Sequence, residues 1–192
     1  GASREELGLP EGTLVGSVGD LRPQKAPGLL VEAFARVAVR FPRAHLVLVG
    51  DGPLRSAVIR RAARLGLASR VHLLGHRTDV HQILPHIELF VMTSAWEGLP
   101  YALLEALACR RAVVVPELDG VADLVAASGA GLTFQQSRTA SLAAALEAAL
   151  TLAPRERETW GAAGRAYVAE CHSVGAMLKA LGDLYREMIT RG

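Results

Sequence analysis

Two glutamates on either side of a proline have the residue type and spacing for chemistry. Glu97 lies in a loop, and Glu105 lies in the second turn of a helix predicted to begin at Pro100. At about 1.5 Å of rise per helical residue, both carboxylates can reach one cleft. Because ionised carboxylates accept hydrogen bonds from vicinal hydroxyls, the pair suits binding of a sugar-bearing ligand better than hydrolysis. On an otherwise apolar helix, Glu105 would also be costly to bury without a partner.

Basic side chains follow two of the predicted strands. Arg22 and Lys25 come after the first strand, and His76 and Arg77 come after the third. Basic groups, glycines whose backbone amides can approach a ligand, and the helix start just after Gly98 together favour binding of a diphosphate. The loops that carry these residues must therefore lie at one end of the fold.

A parallel sheet would position these loops. Short aliphatic runs alternate with segments of helical period, which is typical of βαβ units. Strands are predicted at residues 14–18, 46–49, 71–74, 88–92, 112–115 and 131–134. Helices are predicted near residues 29–37, 53–65, 80–84, 100–109, 121–126, 141–150, 154–170 and 174–189. The pattern indicates an α/β, Rossmann-like three-layer domain with about six parallel strands and C-terminal helices, and its ligand is expected beyond the carboxyl ends of the strands.

One strand-to-helix turn allows two interpretations. Gly50-Asp51-Gly52-Pro53 follows the second predicted strand and fits either a simple turn with a helix start or a ligand-facing loop. Its glycines are too sparse for a dinucleotide-binding fingerprint. The two interpretations stay open from the sequence alone.

The composition bounds the class of protein. A chain of 192 residues with 51% hydrophobic and 21% charged residues can bury one substantial core, so residues 1–192 are expected to form a single domain. The net charge of +2 is spread without a basic tail, which argues against nucleic acid as a partner. The two cysteines and the histidines at positions 45, 72, 81, 86 and 172 show no metal-ligand spacing, so no metal is expected and a reducing cytoplasm fits. No apolar run approaches the roughly 20 residues that cross a bilayer.

The segment around the two glutamates resembles a known family. Ser94-Ala-Trp-Glu-Gly-Leu-Pro-Tyr-Ala-Leu-Leu-Glu-Ala-Leu-Ala-Cys109 resembles the Glu-x7-Glu segment of retaining GT-B glycosyltransferases of family 4, the glycosyl transferases group 1. Further segments fall in the family's order at residues 18–25, 48–54, 70–75, 89–92 and 120–125, so the resemblance covers roughly residues 13–188. It implies the C-terminal, donor-binding half of the GT-B fold, with the N-terminal acceptor half absent from this chain.

The resemblance also implies roles for the charged residues. Lys25 matches the lysine that contacts the donor diphosphate, Glu97 the glutamate that faces the transferred sugar, and Glu105 the glutamate that holds the ribose diol. Lys25 and Glu97 are therefore the candidate catalytic residues.

Other donor-binding positions follow from the same resemblance. The backbone amides of Gly98 and Leu99 would meet sugar or phosphate oxygens, and His76 and Arg77 fall where the family lines the nucleobase. Arg22 is a further candidate, because Asp20 stands where the family usually has an arginine and Arg22 is two places on.

Several other positions depart from the family pattern. Ala26, Arg110 and Asp119 occupy positions where glycine is usual, and Ala112 occupies one where proline is usual. Arg110 at the helix end would either distort it or supply a favourable positive charge. These changes leave room for a weakened or unusual enzyme.

The function that the resemblance implies is transfer of a sugar, with retention, from a nucleotide-diphosphate sugar such as a UDP- or GDP-sugar to an acceptor hydroxyl. Neither a cofactor nor a metal is required, and the isolated domain is expected to turn over poorly. The location implied is cytoplasmic, with peripheral association at the inner membrane surface as an option for the full-length protein.

Two alternatives stay open. One is a degenerate GT-B half that binds nucleotide or a partner without catalysis. The other is a GT-B epimerase or phosphorylase, although the pyridoxal-phosphate lysine of phosphorylases has no evident counterpart.

Overall fold

The computed structural model describes residues 1–191, and its sheet confirms the predicted βαβ pattern. The strands are β1 Thr13–Val18, β2 Ala44–Val49, β3 Val71–Gly75, β4 Leu89–Val91, β5 Ala112–Pro116 and β6 Gly131–Phe134. They form one six-stranded sheet in the order β3-β2-β1-β4-β5-β6, and each neighbouring pair is parallel. The predicted strands agree with these within two residues at each end.

The helices also follow the predicted order. They are α1 Arg4–Leu7, α2 Pro27–Ala38, α3 Arg55–Arg64, α4 Val80–Ile83, α5 Tyr101–Ala108, α6 Val121–Ser128, α7 Thr139–Thr151, α8 Pro154–Cys171 and α9 Val174–Arg191. The start predicted for α3 at Pro53 was wrong by two residues, because the Leu54 amide bonds to the Leu21 carbonyl at 2.9 Å before the helix begins.

The short helix α1 was not predicted. Its four residues are too few to show a hydrophobic period. The Ser3 side chain accepts a hydrogen bond from the Glu6 amide, and the Glu6 carboxylate accepts one from the Ser3 amide, which forms a capping box. The cap holds Leu7 in the core, where it is 3% exposed.

Helices cover both faces of the sheet and make the three predicted layers. On one face, α2, α3 and α7 pack around Phe34 and Leu146, and on the other, α5, α6 and α8 pack around Leu103 and Leu124. All five residues of β5 are buried, which explains why that strand reads as a continuous apolar run. Because helices cover both faces of the sheet, polar chemistry is expected at the two edges where the strands begin and end and where the loops lie.

Helix α9 differs from the other long helices because its apolar side chains face outward. None of its described residues is buried. The exposed large apolar side chains recur at spacings of three and four and are Val174, Met177, Leu178, Leu181, Leu184, Tyr185, Met188 and Ile189. Within the part of the chain that the structure describes, no helix is long and apolar enough to cross a membrane.

Candidate functional site

The strand order reverses between β1 and β4, and this reversal locates a crevice. Strands β2 and β3 lie to one side of β1, whereas β5 and β6 lie beyond β4 on the other side. In open parallel sheets, ligands bind beyond the carboxyl ends of the strands at such a switch point. Two loops flank the crevice here: loop 1, residues 19–26, follows β1, and loop 4, residues 92–100, follows β4.

The structure brings together Lys25 of loop 1 and Glu97 of loop 4. The Lys25 ammonium donates a hydrogen bond to Glu97 Oε1. The Glu97 side chain is only 8% exposed and that of Lys25 is 30% exposed. A carboxylate so far removed from water requires a partner, and Lys25 supplies it. The convergence of these two loops, which the sequence predicted, therefore places one ammonium and one carboxylate in direct contact.

Further hydrogen bonds join the two loops on either side of this ion pair. The Ala95 amide donates to the Gln24 carbonyl at 2.7 Å, and Gln24 Nε2 donates to the Trp96 carbonyl at 2.9 Å. The buried Thr93 hydroxyl donates to the Lys25 carbonyl at 2.7 Å. Sequence reasoning missed Gln24 and Thr93. A threonine directly after an apolar strand was a usable signal for the second, but nothing in the sequence marked the first.

Loop 1 is also held against the turn after β2. The Leu21 amide donates to the Asp51 carbonyl at 2.9 Å. A Cβ atom at Gly50 would lie 2.1 Å from the Gly19 carbonyl oxygen, and one at Gly52 would lie 2.8 Å from the Leu21 carbonyl oxygen. These glycines are therefore required by the close approach of two backbones, which favours the structural interpretation of the Gly-Asp-Gly-Pro turn.

The backbone is strained at two positions where the resembled family has glycine. Ala26, directly after Lys25, has φ 44° and ψ 49°, and Arg110 has φ 59°. The left-handed region costs a residue with a Cβ atom roughly 1–2 kcal/mol. The two departures noted in the sequence thus fall where a left-handed backbone favours glycine, and one of them lies within the site.

A small cavity lies beside Lys25 and is called the Lys25 cavity. Its volume is about 20 Å³, which is room for one oxygen-sized group. Apolar residues at the ends of β1 and β2 and at the start of α2 form part of its wall. Its remaining lining residues are Ser17, Gly19, Asp20, Leu21, Lys25, Met92, Thr93 and Ser94.

Arg22 does not line the Lys25 cavity, although it was predicted as a donor-binding residue. Its Nε atom lies 3.1 Å from Asp20 Oδ2, and both side chains are more than half exposed. Asp20, which stands where the family usually has arginine, does line the cavity. The second basic group expected near the diphosphate is therefore paired with the carboxylate that replaces the usual arginine.

Glu105 lies on an exposed face of α5 and not in the Lys25 cavity. It lines a separate groove of about 590 Å³, called the Glu105 groove, between α5 and the corner joining α8 to α9. The argument that burial would force Glu105 to find a partner was wrong, because water reaches its carboxylate. The proposed ribose contact of Glu105 stays a prediction from the resemblance.

The remaining predicted positions differ in whether their polar groups already have hydrogen-bond partners within the chain. Gly98 and Leu99 are exposed, and within residues 1–191 neither backbone amide donates a hydrogen bond. His76 is exposed directly after β3. Arg77 donates from Nε and Nη2 to the two carboxylate oxygens of Asp79, at 2.7 and 2.5 Å. These bonds raise the pKa of Arg77 and lower that of Asp79, so Arg77 is held in its own loop.

The described residues contain no cluster of metal ligands, and the thiol of Cys109 is not activated as a nucleophile. Over positions 1–191, no group of three or more histidine, cysteine, aspartate or glutamate side chains is placed to hold a metal ion. Burial raises the pKa of the Cys109 thiol, which disfavours the nucleophilic thiolate. The crevice itself presents an ammonium, a carboxylate, hydroxyls and backbone amides.

Solved structures share this fold. HepE of Anabaena in complex with UDP matches 96% of the chain with a TM-score of 0.87 at 24% identity, and the match covers 51% of HepE. WaaG, a glycosyltransferase involved in lipopolysaccharide biosynthesis, matches 86% of the chain with a TM-score of 0.78 at 26% identity, and the match covers 45% of WaaG. The chain thus has the Rossmann-like α/β fold found in GT-B glycosyltransferases.

Sequence comparison gives the family. The profile of the glycosyl transferases group 1 matches residues 2–167, and the chain belongs to this family. The alpha-D-kanosaminyltransferase of Streptomyces kanamyceticus is 30% identical over 189 residues, which are 96% of this chain and 48% of that protein. The D-inositol 3-phosphate glycosyltransferase of Stackebrandtia nassauensis is 32% identical over 197 residues, which are 95% of this chain and 44% of that protein. The chain therefore spans less than half the length of these curated relatives.

Proposed function

We propose that the crevice between β1 and β4 binds the diphosphate of a nucleotide-diphosphate sugar, and that the chain is the donor-binding half of a retaining glycosyltransferase. The observation that carries the proposal is the Lys25–Glu97 ion pair at the strand-order reversal. HepE, which shares the fold, forms complexes with UDP and with UDP-glucose. In that role, Lys25 stabilises the negative charge that grows on the departing diphosphate.

Glu97 acts in two ways under this proposal. In the chain without a donor, its carboxylate neutralises Lys25 and keeps the two loops together. When a diphosphate supplies a second anion, the ammonium can turn toward the phosphate, which leaves Glu97 to accept hydrogen bonds from the hydroxyls of the transferred sugar. The amides of Gly98 and Leu99, which are exposed, supply further donors to sugar or phosphate oxygens. Such a reaction needs neither a metal nor another cofactor.

The exposed apolar face of α9 supports a second part of the proposal. A helix with one continuous apolar stripe buries it against another surface in most globular proteins. The curated relatives are more than twice as long as the part of them that this chain matches. We propose that the α9 stripe packs on an acceptor-binding half in a two-domain enzyme, so that the present domain alone binds donor but transfers no sugar. Sedimentation of the chain as a dimer held by α9 would contradict this assignment.

Calorimetric titration tests the donor site. The chain is titrated with UDP, GDP and their glucose conjugates, and the titrations are repeated on Lys25→Ala and on Lys179→Ala, which removes the only other lysine. A hydrogen bond to a charged group contributes about 1.5–3 kcal/mol, so Lys25→Ala should weaken binding by tenfold or more while Lys179→Ala has no effect. Equal binding by both variants, or no binding by the unmodified chain, would overturn the proposal.

One observation favours a second candidate, a nucleotide-binding module without transferase activity. Asp20 brings a carboxylate to the Lys25 cavity and pairs with Arg22. This weakens the positive potential that would stabilise a departing diphosphate during sugar transfer. Asp20→Arg restores the arginine usual in the family and should strengthen UDP binding. If UDP binds this variant no better, Asp20 does not weaken the site and the second candidate loses its support.

A further inference from the structure

Ser94 is unusual among the buried polar residues of the chain. Thr93, Ser94 and Ser128 are the buried polar side chains of the described residues. The Thr93 hydroxyl donates to the Lys25 carbonyl, and the Ser128 hydroxyl donates to the Val125 carbonyl at 3.3 Å. Ser94 is 1% exposed, and within residues 1–191 its Oγ atom has no hydrogen-bond partner. A buried hydroxyl without a partner is destabilising and calls for an explanation.

The position of Ser94 suggests the explanation. Ser94 lines the Lys25 cavity together with Lys25 itself, Gly19 and Asp20. The cavity has room for one oxygen-sized group, and the neighbouring ammonium makes a negatively charged oxygen the favoured occupant. Ser94 also lies three residues before Glu97 on the same loop, so that one loop supplies both a hydroxyl and a carboxylate to the crevice.

We infer that Ser94 is a donor-binding residue whose hydroxyl donates a hydrogen bond to an anionic phosphate oxygen of the bound nucleotide-diphosphate sugar. The inference rests on the proposed function and adds to it a neutral donor beside Lys25. An acceptor-only oxygen suits Ser94, because the hydroxyl hydrogen is its only donor. In the chain without ligand, the hydroxyl is left without a partner so that it is available to the donor, an arrangement common at binding sites.

Two substitutions of equal size separate this role from a purely structural one. Ser94→Ala and Ser128→Ala each remove one buried hydroxyl, but only Ser128 has a partner within the fold. Ser94→Ala should leave the free chain as stable as before or more stable, and it should weaken UDP or GDP binding about tenfold, the factor for a lost hydrogen bond to a charged group. Ser128→Ala should lower the stability and leave binding unchanged. Ser94→Cys, which keeps a weak donor of similar size, should give an intermediate affinity.

The outcomes separate a failure of the Ser94 inference from a failure of the proposed donor-binding function. If the unmodified chain binds neither UDP nor GDP, the proposed function fails and the role of Ser94 fails with it. If the unmodified chain binds and Ser94→Ala binds equally well, only the Ser94 assignment is overturned. A loss of stability in Ser94→Ala with unchanged affinity would identify the hydroxyl as the anchor of an internal water and would also overturn it.

Discussion

Arg70 and Arg111, at the edge of the sheet where the strands begin, use their positive charge differently from Lys25, at the edge where the strands end. At the edge where the strands begin, arginines donate to backbone carbonyls: Arg70 to Ala38, Phe41 and Ala44, and Arg111 to Cys109, Pro85 and Ile87. At the edge where the strands end, Lys25 pairs with the carboxylate of Glu97. A carbonyl is fixed in the chain and carries no net charge, whereas a carboxylate partner can be replaced by another anion. We therefore expect Arg70 and Arg111 to hold the fold, and the Lys25–Glu97 pair to exchange its carboxylate for a ligand anion.

The largest expected effect comes from removing a guanidinium at the structural edge. Arg70 bonds Ala38 at 2.8 Å, Phe41 at 2.6 Å and Ala44 at 2.9 Å, and its guanidinium lies over the Phe34 ring. Arg70→Met leaves these carbonyls without their donor and should lower the free energy of unfolding by roughly 3 kcal/mol, measured by urea denaturation. UDP affinity of the folded chain should not change.

Arg43→Ala is the matched control for this prediction. Arg43 is an exposed arginine on the same edge, so its loss should change stability by less than about 0.5 kcal/mol. Equal stability of the Arg70→Met and Arg43→Ala variants would contradict the claim that the Arg70 guanidinium holds the fold at this edge.

A smaller and more selective effect is expected from Glu97→Gln. The substitution frees Lys25 from its carboxylate partner, so UDP, which has no sugar, should bind roughly threefold to tenfold more tightly. The additional affinity contributed by the sugar of UDP-glucose should fall, because a neutral amide is a weaker acceptor for hydroxyls. Calorimetry with both ligands measures the two changes, with Asp183→Asn in the exposed Arg186 pair as control. Weaker UDP binding by Glu97→Gln would contradict the exchange of partners.

Relief of backbone strain at one residue on each edge should raise the free energy of unfolding by up to about 1 kcal/mol. Ala26→Gly and Arg110→Gly remove a Cβ atom from a left-handed backbone, which more than offsets the extra flexibility of glycine in the unfolded chain. Each should raise the free energy of unfolding by about 0.5–1 kcal/mol. Ala180→Gly, inside α9, should lower it by a similar amount. Destabilisation by both Ala26→Gly and Arg110→Gly would show that the left-handed conformations are not strained.

The smallest expected effect is a pH dependence at the structural edge. His45 Nδ1 and His72 Nε2 lie 3.1 Å apart on β2 and β3, and burial lowers the pKa of both rings below the ordinary 6.5. The unfolded chain therefore binds protons more readily, so stability should be constant above about pH 6.5 and should fall as the pH drops below it. Urea denaturation at several pH values measures this, and His72→Gln should flatten the profile. An unchanged profile in that variant would rule out the pair as its source.

The sequence predicted the sheet well because each strand is a local apolar run. The run at 112–115 is one example. Because Lys25 follows β1 and Glu97 follows β4, the predicted parallel sheet was enough to place the two residues at the same end of the fold. The bonds from Gln24 and Thr93 join residues about 70 positions apart, and no local pattern reports them. The exposure of Glu105 depends on how α5 sits beside α8, which helical period alone does not fix.

The most direct measurement uses the fact that the chain has only two lysines, Lys25 and Lys179. Acylation of each amine by a lysine-reactive ester, followed by mass spectrometry of the peptides, reports how accessible each one is with and without UDP. The account predicts that UDP slows acylation of Lys25 several-fold and leaves Lys179 on exposed α9 unchanged. Equal rates at Lys25 with and without saturating UDP would contradict the claim that its ammonium meets the diphosphate.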